Sequence, residues 1–419
     1  MIAFHQRRDF FYGWVVVAAT FAVTFVGFGS AYTFSAFIEA LQRDLGASRG
    51  SISLVFSTAG FLYFSLGVIS GPLADRFGAR SLCVVGMALV GLGLALAGQA
   101  RTIAEAYAAY GLGIGLGVGC AYVPALGAVQ RWFVARRGLA SGLAVSGIGF
   151  GTLIMPPLAT WLISTLGWRG AYLVLGGAAA AVGVGASLLL EDDPGQRGLR
   201  PDGATDEPGI ESSAAKEGVS VKDAIRTPRF LGMYVACLLS AVGVFVPFIH
   251  LVPFAVDHQI APAVAVLLLS VIGVGSTAGR FCLGGLADRL GRDTFLVIMY
   301  AGIAVSLAIW ASSAGSWALA AFALLFGLFY GGWVAVLPAV VADHFGRRNV
   351  GGIIGLLYTS VAIGTLIGPS LAGFIYDASN SYFSAIVISG GANAVAALVA
   401  FVTSGLPRHI LHDDQMNCS

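Results

Sequence analysis

The chain has 419 residues, of which 57% are hydrophobic and only 11% charged, and its formal net charge is +2. A soluble domain usually carries about 25% charged residues, so the composition excludes a water-soluble globule. A balance this close to neutral also excludes a nucleic-acid binder.

Crossing a bilayer as a helix takes about 20 apolar residues. Twelve runs meet that length, at 12–38, 51–72, 81–99, 105–129, 139–163, 170–190, 229–254, 262–286, 294–313, 317–341, 351–374 and 382–404. In lipid every backbone amide must be paired within its own segment, so each run is expected to be a helix. The first run has no small-residue cleavage site behind a short core and reads as an uncleaved first helix. The second ends in GPLADRFGAR (Gly71–Arg80), and the fifth opens on WFVARRGLASGLA, from Trp132. After the sixth, the stretch from Glu191 to Arg226 is rich in charge, Pro and Gly, the composition of a flexible linker. The organisation expected is 1–190 as one six-helix bundle, 191–228 as linker, 229–404 as a second six-helix bundle and 405–419 as tail.

Cys83, Cys120, Cys237 and Cys282 lie within apolar runs and Cys418 in the tail, so no disulfide framework is implied. The N-x-S sequon at Asn417 lies in the same tail.

Arginines are unevenly placed. With the N-terminus inside, the inner loops hold Arg7, Arg8, Arg76, Arg80, Arg131, Arg136, Arg137, Arg289, Arg292, Arg347, Arg348 and Arg408; the outer loops hold Arg43, Arg49, Arg101 and Arg169. This asymmetry places both termini in the cytoplasm, the protein being multi-pass in the plasma (inner) membrane. The halves also repeat. GGLADRLGRD (Gly284–Asp293) echoes Gly71–Arg80, and Phe345, Arg347, Arg348 and Gly355 echo Phe133, Arg136, Arg137 and Gly142. Parallel six-helix repeats around a midplane site describe a two-halved transporter.

The decapeptide G-x-L-A-D-R-x-G-x-R resembles the loop motif of the major facilitator superfamily, which implies that superfamily's all-α membrane fold. The resemblance implies an inner latch: Asp75 and Arg76 with Arg131 or Arg136 near the N-terminus of the eleventh helix, and Asp288 and Arg289 with Arg347 or Arg348 near the fifth. A carboxylate at a helix N-terminus is favoured by roughly 0.3–1 kcal/mol. Trp132, Phe133, Arg136, Arg137, Leu139, Ala140, Gly142 and Ala144 are similar, without a gap, to the monocarboxylate transporter signature. A second signature of that family at the start of helix 1 is matched only at Asp9, Gly13 and Trp14, with Tyr12 as an aromatic substitute. The oxalate/formate antiporter branch shares much of the pattern. Glycines four apart (138/142, 147/151, 111/115/119, 351/355 and 364/368) are expected to let helices approach closely.

Arg280 is the basic residue that lies well inside a spanning run. A charge at the bilayer centre costs about 2.5–3.5 kcal/mol even on the insertion scale, which marks it as functional. Its helix runs outside to inside, and helical side chains lean towards their own N-terminus, so Arg280 leans to the midplane. The family resemblance implies an anion-binding arginine here, in R-x-x-x-G-x-x-A matched by Arg280, Gly284 and Ala287. Where mammalian members carry an aspartate one turn earlier and a lysine on helix 1, this chain has Ser276 and Tyr32. Any co-transported proton therefore needs another acceptor. His250, between Pro247 and Pro253 where irregular helix is expected, titrates near neutrality. Asp257, seven residues on at the outer mouth, is the second candidate. An Asp257–Arg280 ion pair is not expected, because the helical rise separates them by over about 20 Å.

The superfamily lines its cavity with helices 1, 4, 7 and 10, which implicates Phe28, Tyr32, Tyr122, Tyr330 and Trp333, with Ser146 and Tyr358 on neighbouring helices. The function expected is proton-coupled symport of small monocarboxylates of the lactate/pyruvate type, with a small organic monoanion, a proton and the lipid bilayer as partners. A monomer is expected, with no cofactor, metal or nucleic acid. A dicarboxylate exchanger of the oxalate/formate type, or another organic anion exporter, is the alternative, although helix 11 lacks that branch's lysine. A receptor without transport is the alternative of another class. The spans hold no nucleophile–base or metal constellation, so an enzyme is not expected.

Overall fold

A computed structural model describes residues 11–202, 219–312, 315–346 and 349–405, the side chain of Asp288 excepted. Twelve spans are present among the described residues. In chain order α1 is Gly13–Leu45, α2 is Arg49–Ser65 with Gly67–Phe77, α3 is Ala79–Ala97 and α4 is Ile103–Trp132. The segment Arg137–Leu188 is two spans, α5 (137–166) and α6 (168–188), because Gly167 breaks it at φ 71°. Then α7 is Pro228–Asp257, α8 Pro262–Cys282, α9 Arg292–Ser312, α10 Ser316–Phe345, α11 Val350–Ser379 and α12 Phe383–Ser404.

Local chemistry sets the helix ends. Ser48, Thr102 and Thr227 each accept a hydrogen bond from the amide three residues on, closing the starts of α2, α4 and α7. Gly78 and Gly291 stand at equivalent places in the repeated decapeptide, both at φ 84°, a backbone setting that glycine adopts without strain. The twelve spans alternate in direction, so α1 starts and α12 finishes at one end of the bundle, with the linker; this is the linker end, and the opposite one is the far end.

Two interiors result. In the first half α1 packs on α4 and α5, and α3 on α4 and α6; in the second, α7 packs on α11 and α12, and α8 and α9 on α10. The halves meet along α2–α11 and α5–α8, pairs related by the internal repeat. Among the described residues, the polar contacts joining them (Tyr32 with Tyr330, Ser270 with the Leu153 carbonyl, Ser53 with His250, and a set on Arg49) lie from mid-span towards the far end. The far end is closed.

Three sequence expectations change. The helix around His250 is regular: α7 breaks at Phe245, before Pro247, because Pro247 falls in the first turn of the segment Val246–Asp257, where its missing N–H has no helical partner to lose. The close-packing glycines divide. A Cβ on Gly147 or Gly151 would strike the Phe21 or Phe25 carbonyl, and one on Gly364 or Gly368 would strike the α7 backbone. At Gly115 and Gly119 it would strike Leu62 and Leu66 of α2. Gly138, Gly142 and Gly351, at the linker end, have nothing within 4 Å, and Gly111 and Gly355 make only ordinary contacts. The third change is at the edges of the linker. Asp202 pairs with Phe133 in a β-bridge and Val219 donates to the Phe345 carbonyl, so each edge is tied to one of the repeated loops.

Overfilling a packed contact costs about 1–3 kcal/mol. Gly368→Ala is therefore expected to lower the thermal midpoint of the detergent-solubilised protein, and Gly142→Ala to leave it unchanged. Equal midpoints for the two variants would contradict this packing.

Candidate functional site

Between the halves, near mid-span, lies a small cavity walled by aromatic rings. Phe28 and Tyr32 from α1, Tyr122 from α4, Tyr330 and Trp333 from α10 and Tyr358 from α11 line it. Its volume is ≈ 30 Å³, room for about two waters, so an organic anion enters only as the rings part. Tyr32 and Tyr330 meet across the halves at 3.2 Å, hydroxyl to hydroxyl. Phe248 stacks on Tyr32 with centroids 4.4 Å apart and lies edge-on to Tyr330 at 5.3 Å. These three rings form a layer between the cavity and the far end.

Arg280 stands beside this cavity. Its guanidinium carbon lies 5.9 Å from the Tyr330 ring centroid, and its charge reaches Tyr32, Tyr122, Tyr330 and Tyr358. The residue is 8% exposed. Nη1 donates to the Ser276 hydroxyl at 2.8 Å, while the buried Nε and Nη2 have no hydrogen-bond partner. A buried cation with unmet donors is costly. A carboxylate is the group that best relieves it, by accepting two parallel N–H bonds from the guanidinium fork. Ser276 is neutral and leaves the positive charge uncompensated. Gly149 of α5 makes room: a Cβ there would strike the Thr277 hydroxyl and come within 3.3 Å of Arg280 Nη1.

The other expected residues separate into three places. Phe28, Tyr32, Tyr122, Tyr330 and Tyr358 gather at the cavity. Ser146 does not line it; its hydroxyl donates to the Leu143 carbonyl of its own helix. His250 and Asp257 belong to the far end. His250 Nε2 donates to the Pro369 carbonyl at 2.8 Å with Ser53 Oγ at 3.3 Å, and Nδ1 faces the Tyr382 hydroxyl at 3.1 Å. A carbonyl only accepts, so the proton sits on Nε2 and Tyr382 donates to Nδ1. Asp257 is held by both terminal nitrogens of Arg49, at 2.6 and 2.9 Å.

The latch residues lie at the linker end. Asp75 pairs with Arg131 at 3.6 Å, but Arg131 binds Asp192 more closely, at 2.9 Å, and Asp192 also accepts from the Ala79 amide. Arg76 lies over the Phe77 ring, and Arg136 flanks the start of α5. Arg289 is exposed on the short helix Gly284–Leu290. The Asp288 side chain, Arg347 and Arg348 lie outside the described residues. Reading by residue type overlooked Asp192, sitting in a stretch of linker composition, and Arg49, counted only as a loop charge. It also overlooked the apolar wall of Phe64, Phe245 and Leu337, in which Leu337 stands four residues after Trp333.

A family model described as the Major Facilitator Superfamily matches residues 19–304 and 234–413. Monocarboxylate transporter 3 of Rattus norvegicus is 32% identical over 401 residues, spanning 94% of this chain and 80% of that protein. The chain is a member of the monocarboxylate transporter family of the major facilitator superfamily. Within it, monocarboxylate transporter 12-B of Danio rerio is 28% identical over 93% of this chain and 86% of its own length. Monocarboxylate transporter 11 of Homo sapiens is 29% identical over 95% and 83%. The fold is similar to a solved bacterial homologue of the human lysosomal transporter Spinster, inward-facing and unoccupied, with a TM-score of 0.68 at 14% identity over 94% of this chain and 95% of that one. The nucleoside transporter NupG is equally similar, at 0.68 and 14% over 93% and 99%. A multi-pass membrane transporter with an uncompensated arginine beside its central cavity is thus in hand.

Placing a carboxylate against that arginine tests the charge balance. In Ser276→Asp the new side chain competes with any anion for the guanidinium, an interaction of about 4 kcal/mol at 4 Å and an effective dielectric of 20. Anion affinity is expected to fall by about tenfold or more at pH 7 and to recover as the new carboxyl protonates at lower pH. Titration of the purified variant with small monocarboxylates at several pH values checks this.

Proposed function

We propose that this chain carries small monocarboxylates of the lactate/pyruvate type across the plasma membrane by alternating access, with Arg280 holding the carboxylate. The observation that carries this reading is the buried guanidinium whose Nε and Nη2 lack partners beside a cavity between the two halves. One cation suits one carboxylate, and the residues lining the cavity add no second one. A dianion would keep one carboxylate among aromatic rings without a partner, which weighs against an oxalate-type exchanger. The aromatic walls enclose an apolar methyl, and the Tyr122 and Tyr358 hydroxyls offer hydrogen bonds to a hydroxy or keto oxygen. The arginine-rich linker end faces the cytoplasm in this reading, and the closed far end faces outwards.

A proton moves with the anion, and His250 is the acceptor this reading favours. It lies within a spanning helix, and Nδ1, which faces the Tyr382 hydroxyl, is the ring nitrogen left to take a proton. Both carboxylate oxygens of Asp257 are already taken up by the terminal nitrogens of Arg49.

Two measurements in proteoliposomes test the two parts separately. Arg280→Ala and Arg280→Lys are expected to reduce lactate or pyruvate uptake by about tenfold or more, since each charged hydrogen bond is worth about 1.5–3 kcal/mol; wild-type rates would refute the role of Arg280. His250→Gln is expected to remove the stimulation of uptake by an imposed pH gradient while exchange of anion for anion persists. An unchanged gradient dependence would remove His250 from the proton's path.

A further inference from the structure

The far end is held by a cluster with no part in the anion site. Arg49, the first residue of α2, points across the boundary between the halves. Its Nη1 and Nη2 donate to the two oxygens of Asp257 at the end of α7, and Nη1 also donates to the Tyr382 hydroxyl at 3.0 Å. Its guanidinium carbon lies 4.0 Å above the Tyr376 ring centroid. The backbone adds a second tie. Asp377, near the end of α11, accepts from the amides of Arg49 and Gly50 at 3.0 and 2.9 Å, so a carboxylate of one half caps a helix of the other.

Three properties distinguish this set from an ordinary surface ion pair. The Arg49 side chain is only 12% exposed, so water screens its pair with Asp257 weakly. The contact is bidentate and backed by an aromatic face, the arrangement that favours arginine over lysine. It also runs on inwards: Tyr382 passes from Arg49 to His250, and His250 reaches Ser53, on the same helix as Arg49. The Phe248–Tyr32–Tyr330 layer comes next, and the cavity lies beyond it. All of these contacts must part for the cavity to open at this end.

We propose that Arg49 is the far-face gate residue of this carrier, its pairing with Asp257 and its Asp377-capped backbone holding the end shut while the linker end is accessible. Arg49 is a positioning residue: it touches no substrate and acts by setting the population of the closed state. The proposal rests on the transport reading only for its use of the gate. The closure itself rests on contacts between protein groups alone.

The experiment reads accessibility and needs no substrate. In the full-length chain with its native cysteines replaced by serine, Ser53→Cys puts a near-isosteric thiol behind the clasp, and a membrane-impermeant thiol reagent is applied from the far face. Adding Arg49→Ala or Asp257→Ala is expected to raise the labelling rate by about tenfold or more, the factor set by roughly 1.4 kcal/mol of lost closing free energy. Arg49→Lys, which keeps the charge and loses the fork, is expected to fall between. The swap Arg49→Asp with Asp257→Arg is expected to restore slow labelling, which a merely misfolded chain does not do. In uptake assays Arg49→Ala is expected to lower the maximal rate more than it changes the half-saturating concentration. Labelling that is equally slow in the single variants and the parent overturns the proposal, whatever the uptake. Fast labelling in the gate variants, when the unmutated chain itself moves no monocarboxylate, upholds the gate and sinks the transport reading instead.

Discussion

A guanidinium buried between two helical bundles, two of its three nitrogens without a partner, is the constraint around which this protein is arranged. The charge costs several kcal/mol to hold in the membrane interior, and the neutral Ser276 does little to offset it. The helix that carries it is fixed on both sides. On one flank Gly275 and Gly279 of α8 lie against the Leu324 and Leu328 carbonyls of α10, while Gly327 and Gly331 lie against α8 in return. On the other, Gly273 meets α5 at Leu153 and Gly149 meets α8 at Thr277. Helices this close leave little freedom to tilt, so Arg280 is presented to the cavity in a set position rather than swinging to water. Preorganisation of this kind lowers the cost of capturing an anion.

Much of this was legible from residue types. Run length alone set the number of spans, because lipid leaves the backbone no alternative to the helix. Arg280 stood out because a charge among apolar residues needs a reason, while the cavity tyrosines followed from the family resemblance, which implied the helices that line the cavity. The misses have a common cause. Arg49 and Asp192 act through partners more than sixty residues away, Asp257 and Arg131 respectively, and each sits in a segment whose composition reads as loop or linker. Glycine spacing was equally ambiguous: the four-residue pattern at 138/142 is the same as at 147/151, yet only the second pair meets a neighbouring backbone. Periodicity identifies a smooth helix face and does not say whether anything lies against it.

The two ends of the molecule are held by different chemistry. At the far end Arg49 ties one half to the other, beside the Asp44–Arg169 pair within the first half. At the linker end the ion pairs among the described residues stay within a half: Arg131 gathers Asp75 and Asp192, while in the second half Asp293 joins Arg229 to His344 and Arg292 binds Asp343. The linker edges, tied to Phe133 and Phe345, follow the half they adjoin. Each bundle thus keeps its own integrity at the linker end, and the connection between bundles is concentrated where the cavity is sealed.

The shape of α2 has a mechanical consequence. Its two segments meet at Leu66 with a bend of 50°, and their tips carry Arg49 at one end and Asp75 at the other. A straight rod would force both tips to swing together, so that unlocking one mouth necessarily shut the other. A jointed one lets the outer arm release while the inner arm stays seated, and the reverse. For the alternating access proposed above, the joint allows an occluded intermediate, with both mouths sealed, rather than a continuous pore.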